Sequence, residues 1–341
     1  MSHVPRAAIV NLSTPHYNLG AEKLRYWLQH AGWLVEWFEG VKGAPPPLLL
    51  STRFDRLCLS AIFSWDVPGA VDLAVHFKPQ NEVWAGGPGF LHMGDWWRRS
   101  TGLEAKIGLD WLYERQRGNY RMTYAARGCP VGCHFCGVPQ LEGTTYTLDW
   151  EFEPAPILLD NNLTDEPVEF QEHIIRRYQE TGIPLLDANS GFEPRNFTEE
   201  TYARWKPILR GPWRCGYDYL PERSAVRRML QILQRESSKK KRVYVLIGNE
   251  PIEHCLERVR EVIGWGGEPH LQPLLPKNAL DRHDYELRYD WTASRLTHFA
   301  RYWNRRYYKY TPLDAYDCRG KRPLKDLLAG ARNYLPVLSE T

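Results

Sequence analysis

Three cysteines, Cys129, Cys133 and Cys136, stand within eight consecutive positions of a 341-residue chain that holds seven cysteines in all. Their spacing is C-x3-C-x2-C, inside Arg127-Gly128-Cys129-Pro130-Val131-Gly132-Cys133-His134-Phe135-Cys136. Thiolates are soft donors, suited to iron–sulfur clusters, zinc or copper(I). Gly128 and Gly132 permit the sharp turns that three side chains of one loop need to converge on a single centre. A structural zinc site closes its tetrahedron with a fourth ligand and often starts from a paired cysteine element. No second pair occurs, and His134, inside the motif, is poorly placed to be that ligand. On a [4Fe–4S] cluster, three thiolates would leave one iron open to a non-protein ligand. Such an arrangement suits catalysis better than a structural role.

The remaining cysteines read differently. Cys58 lies in an apolar stretch and Cys255 in a helical one, so both are expected in the core. Cys215, on a strand, and Cys318, in the polar segment Tyr316-Asp317-Cys318-Arg319, are candidate catalytic thiols. An odd, clustered cysteine set without a secretory leader points to a reducing compartment, and hence to the cytoplasm. No apolar run approaches the roughly 20 residues needed to cross a bilayer, so no membrane partner is expected. With 43% hydrophobic and 25% charged residues the composition is that of a globular protein, and a formal charge of +3 neither demands nor forbids a nucleic acid.

The elements that must carry this chemistry alternate. Ala7–Leu12, Leu34–Phe38, Leu57–Phe63 and Glu82–Ala85 read as strands, with helices over Ala21–Ala31 and Val67–Phe77. They predict a small doubly wound α/β domain at 1–95. A linker follows at 96–119. From 120 to 280 a second alternation has strands at Met122–Ala126, Pro156–Asp160, Pro184–Ala188, Trp213–Asp218, Val243–Gly248 and His270–Leu275. Helices are predicted at Glu166–Glu180, Thr198–Leu209, Glu222–Arg235 and Ile252–Ile263. So many strand–helix steps call for a barrel or a large parallel sheet. A helical extension occupies 281–341, with an amphipathic helix over Trp291–Tyr310, and Lys239-Lys240-Lys241-Arg242 is expected to be a solvated turn.

In this setting the cysteine motif, with aromatic Phe135 before its last cysteine, resembles the signature of radical S-adenosylmethionine (radical SAM) enzymes. That resemblance implies a partial (β/α)6 barrel whose first strand precedes the motif. It also implies a cluster whose open iron binds S-adenosylmethionine, and a 5′-deoxyadenosyl radical that abstracts hydrogen from substrate. An electron donor such as flavodoxin or ferredoxin would be a partner. Ile157-Leu158-Leu159-Asp160-Asn161-Asn162 is similar to the family's amino-group-binding motif, with Asp160 and Asn161 in place of the usual Gly-Gly-Glu. Phe135, Asn189, Asp218 and Gly248 would be further cofactor contacts at strand ends, Gly248 beside the adenine. Arg195 and Arg214 are candidate carboxylate binders.

The first 90 residues resemble the cobalamin-binding domain of one radical SAM group, through Ser60-Ala61-Ile62-Phe63-Ser64-Trp65 and Gly86-Gly87-Pro88-Gly89. The Asp-x-His-x-x-Gly ligand motif is absent, because His16 lacks the aspartate and Gly20 is displaced. Cobalamin is therefore not expected. The substrate stays open among a nucleotide or RNA, a peptide and a small metabolite. A different class of reading is a non-catalytic zinc- or cluster-binding nucleic-acid module, for which Arg301-Tyr302-Trp303-Asn304-Arg305-Arg306-Tyr307-Tyr308-Lys309 offers stacking and phosphate contacts.

Overall fold

Ala7, Ala8, Ile9 and Val10 are all completely buried, which requires cover on both faces of the strand they form. That strand is β1 (Arg6–Asn11) in the computed structural model of the protein, which describes residues 3–40, 47–108 and 116–316. After it come α1 (Leu19–His30), β2 (Leu34–Glu39), α2 (Pro47–Ser51), β3 (Arg56–Ser60), α3 (Val71–Phe77), β4 (Glu82–Gly86) and α4 (Gly94–Thr101). The four strands form one parallel sheet in the order β2-β1-β3-β4. One face buries Ala8, Val10, Leu57, Leu59 and Ala85 with Leu73, Phe77, Phe90 and Trp97. The other buries Ala7, Ile9 and Cys58 with Ala21 and Leu28 of α1. Asn18 sets the start of α1: its extended backbone caps the helix and its Oδ1 accepts the Ala21 N–H at 3.1 Å.

Two differences from the expected elements have physical causes. The helix expected from Val67 begins with two 3-10 turns, Ser64–Asp66 and Pro68–Ala70, because Pro68 cannot donate a backbone bond. In the stretch expected to be a linker, α4 places Met93, Trp97 and Thr101, four residues apart, in the core. Gly102 closes this helix at φ +72. The chain goes on to the short β5 (Met122–Thr123), then β6 (Ala126–Arg127), α5 (Val138–Leu141) and β7 (Thr147–Leu148), with β6 and β7 paired antiparallel. All this belongs to one compact unit, Met1–Ala155 with Lys277–Arg282.

The other unit, Pro156–Pro276 with His283–Thr341, holds β8 (Ile157–Leu158), α6 (Val168–Thr181), β9 (Asp187–Ala188), α7 (Glu199–Trp205), β10 (Trp213–Gly216), α8 (Arg223–Ile232), β11 (Lys241–Ile247), α9 (Ile252–Gly264), β12 (Glu268–Pro273) and α10 (Ala293–Asn304). β8 pairs parallel with β9, and β10, β11 and β12 form a parallel sheet in that order. Backbone bonds from Arg210 N to Leu185 O and Phe192 N to Arg214 O, both 2.8 Å, join the β9 region to β10. Strand neighbours therefore follow sequence order. The free edge of β12 is covered by Asn304, whose amide accepts from Leu271 N at 2.7 Å and donates to Leu271 O at 2.9 Å. Of the basic run, Ser238–Lys240 form a 3-10 turn, but Lys241 and Arg242 already belong to β11 and Lys241 is buried.

The molecule is thus mixed α/β with parallel sheets. Among the described residues no helix is long and apolar enough to cross a membrane.

Candidate functional site

The cysteine loop is the excursion of the β6–β7 hairpin, and its base is tightly fixed. Gly128 has φ +94, and a Cβ there would lie 2.1 Å from the Thr145 carbonyl oxygen, so only glycine fits. Its N–H donates to Glu142 Oε2 at 3.0 Å, and that nearly buried carboxylate lies 3.5 Å from the Arg127 guanidinium. The guanidinium in turn packs 3.7 Å over the Tyr124 ring. Cys129 N–H reaches Gly143 O at 3.3 Å, and Cys136 N–H donates to Cys133 O at 2.9 Å. Gly132, at φ +66, gives the reversal between the first two cysteines.

Cys129, Cys133 and Cys136 are all partly exposed. Val138 N–H donates to Cys136 Sγ at 3.4 Å. Phe135 is partly exposed, edge-on to the His134 ring at 5.4 Å. In donor type the three thiols suit an iron–sulfur cluster, zinc or copper(I). Among the described residues no group of three or more His, Cys, Asp or Glu side chains is arranged to hold a metal ion.

The other candidate contacts belong to the second unit, at or just beyond strand ends. Asp160 follows β8 and is 1% exposed; Glu166, beginning the approach to α6, is 2% exposed. Burial, then the charge of Asp160 and a side-chain hydrogen bond to it, push the Glu166 carboxyl well above the usual range. Asn161 is partly exposed and Asn189, beyond β9, is exposed. Asp218, beyond β10, has its carboxyl pushed up to about 7, chiefly by burial and then by the Glu222 charge, with Arg258 opposing.

A buried cation organises this end of the sheet. Arg258 of α9 is completely buried; it donates to the carbonyls of Tyr217 and Leu246, the latter at 2.8 Å, and pairs with Glu250 at 3.1 Å. It thus ties the ends of β10 and β11 together. Asn249 reaches back to the Asp218 carbonyl, and Gly248, at φ +92, makes the turn against Leu296. The sequence gives no warning of Arg258: in an amphipathic helix that also carries Arg260, an arginine reads as surface.

Cys215 is 2% exposed and in register with Val243, and burial pushes its thiol far up. Cys58 is likewise buried, pushed up to about 12, and Cys255 is buried against Arg258 at 3.3 Å. Cys318 lies outside the described residues. Both candidate carboxylate binders already hold a carboxylate of the chain itself, Arg195 with Glu193 and Arg214 with Asp187.

In the first unit, parallel strand order reverses between β1 and β3, where such sheets open a crevice. Asn18 Nδ2 donates there to Ser60 Oγ at 3.0 Å and Asn11 Oδ1 at 3.3 Å, and Ser13 Oγ accepts from Ile62 N–H at 2.8 Å. A Cβ on Gly87 or Gly89 would lie 2.5 Å from Ala61 O or 2.6 Å from Phe63 O. His16 packs edge-on to Phe63 at 5.1 Å. The polar groups of this crevice bond one another.

No protein-family model matches the chain, and no curated protein is significantly similar to it.

Proposed function

We propose that this protein is a radical S-adenosylmethionine enzyme whose [4Fe–4S] cluster is held by Cys129, Cys133 and Cys136. The observation that carries the reading is the C-x3-C-x2-C loop, with its base fixed by Gly128 and Glu142 and a backbone N–H directed at Cys136 Sγ. When bound, the cluster would supply the electron that cleaves the sulfonium and yields a 5′-deoxyadenosyl radical. An electron-donor protein such as flavodoxin or ferredoxin would serve as partner.

Sequence-ordered parallel strands in the second unit support a partial (β/α)6 barrel, and the β2-β1-β3-β4 order supports a flavodoxin-like first domain. In this reading the strand-end residues serve S-adenosylmethionine. Asn161 and the Asp160–Glu166 pair offer oxygens to its ammonium, and Asn189 offers an amide to its polar groups. Gly248 keeps a turn open to the adenine, and Phe135 presents a ring. Asp218, titrating near neutrality, can hold or release a proton at its carboxyl oxygens. In the first domain the strand-end polar groups already bond one another, which supports a scaffolding role.

Anaerobic purification and reconstitution test the reading. The expected result is about four iron and four sulfide per chain, lost on Cys129→Ala, Cys133→Ala or Cys136→Ala. A single zinc per chain would instead favour a non-catalytic module.

A further inference from the structure

Register partners in a parallel sheet share a face, and successive residues alternate between faces. Arg214 is in register with Arg242 and Arg242 with Glu268, while Gly216 is in register with Tyr244 and Tyr244 with His270. These residues therefore share one face of β10–β12. Cys215, Val243, Val245 and Ile247 lie on the opposite, fully buried face. Parallel sheets normally bury apolar residues on both faces. Here one face carries two arginines directly side by side.

Like charges at paired positions repel, so each cation needs an account. Arg214 is satisfied: its Nε donates to Asp187 Oδ1 at 2.6 Å, Nη2 meets the other carboxylate oxygen, and Nη1 meets the Tyr244 hydroxyl. Arg242 is held more loosely. Among the described residues its nearest carboxylate oxygen is Glu268 Oε2, a long ion pair at 3.9 Å to an atom that accepts no hydrogen bond there, and Glu268 Oε1 is taken by Arg306 at 2.6 Å. The Arg242 side chain remains 31% exposed. Beside it the partly buried His270 ring stands edge-on to Tyr244 at 5.4 Å. Burial, and then the charges of Arg242 and Arg214, hold His270 below its usual range, with Glu268 opposing. Beyond Glu268 stand Arg306 and Tyr308, which follow α10.

We propose that Arg242, His270 and Tyr244 form an oxyanion subsite on this strand face, taking a carboxylate or phosphate group of a ligand. A guanidinium presents two parallel donors that match either group, and a neutral imidazole adds one more. An anion here removes the repulsion between the paired arginines. The subsite lies wholly within the second unit and needs neither cluster nor S-adenosylmethionine.

Histidine ring signals of the full chain, with His270 assigned by loss in His270→Gln, provide the test. Inorganic phosphate and acetate are titrated separately at constant ionic strength. The expected result is a saturable rise of the His270 pKa by about one unit, with the anion acting at lower concentration naming the ligand group. Arg242→Gln raises the starting pKa and abolishes the saturable rise. Arg242→Lys keeps the depressed starting value and weakens anion binding several-fold. A His270 signal indifferent to both anions, or an undiminished response in Arg242→Gln and Arg242→Lys, overturns the proposal. Neither readout depends on the cluster, so failure here leaves the radical reading standing, and absence of a cluster leaves this subsite standing.

Discussion

The two units end their parallel strands in opposite ways. Beyond β1 and β3, Asn11, Ser13, Asn18 and Ser60 bond one another at 3.0–3.3 Å, and Asn11 also donates to Glu39. Beyond β8, β10 and β11, the chain instead buries the ionisable Asp160, Glu166 and Arg258 and half-buries Asp218. Burying charge costs far more than burying a paired amide, and such groups concentrate where chemistry is done. Under the proposed function, the first unit's parallel strands serve as scaffold and the second unit's carry the chemistry.

The largest effect expected is at Arg258. Arg258→Met removes the buried guanidinium from Glu250 and from two strand-end carbonyls, leaving Glu250, among the described residues, only the Leu220 N–H and His254, and should cost about 3–5 kcal/mol in urea unfolding. A loss below ~1 kcal/mol would make the buried cation incidental and weaken the contrast. Next comes Gly128→Ala, which forces a Cβ against the Thr145 carbonyl at positive φ. It should cost about 1–3 kcal/mol and strip most of the iron from reconstituted protein. Iron retained at wild-type level would show that the hairpin base does not shape the cysteine loop.

Asn18→Ala sharpens the other side of the comparison. It removes a helix cap and the Asn18 amide's bonds to Asn11 and Ser60, for about 1–2 kcal/mol, while iron content and S-adenosylmethionine binding by equilibrium dialysis stay unchanged. Any loss of either would assign the crevice a working role. The smallest effect is conditional on pH. The Asp218 carboxyl binds its proton more tightly in the folded chain than in the unfolded one, so its contribution to stability falls as pH rises from about 4 to about 7. Asp218→Asn should match wild type at pH 4 and exceed it in urea midpoint at pH 8; equal midpoints at both would remove Asp218 from the set of costly charges.

Much of this was legible before any coordinates. Strand periods placed β1–β4 and β8–β12 within a few residues, because continuous apolar runs and glycine stops are strong local signals. The cysteine loop announced itself by spacing. The β6–β7 hairpin did not, since two-residue strands carry no period. The helix α4 was hidden because only Met93, Trp97 and Thr101 mark its buried side, amid arginines and serine. The facing of Arg214 and Arg242 depends on register, and the burial of Arg258 on which helix face meets β11. Both are tertiary facts that no window of sequence contains.

The most direct measurement is 5′-deoxyadenosine released when reconstituted protein meets a strong reductant and S-adenosylmethionine without oxygen. The account predicts that wild-type protein forms it, and that Cys129→Ala, Cys133→Ala and Cys136→Ala form none. A wild-type chain carrying a full cluster and yielding no product, or a cysteine variant yielding as much as wild type, would contradict it.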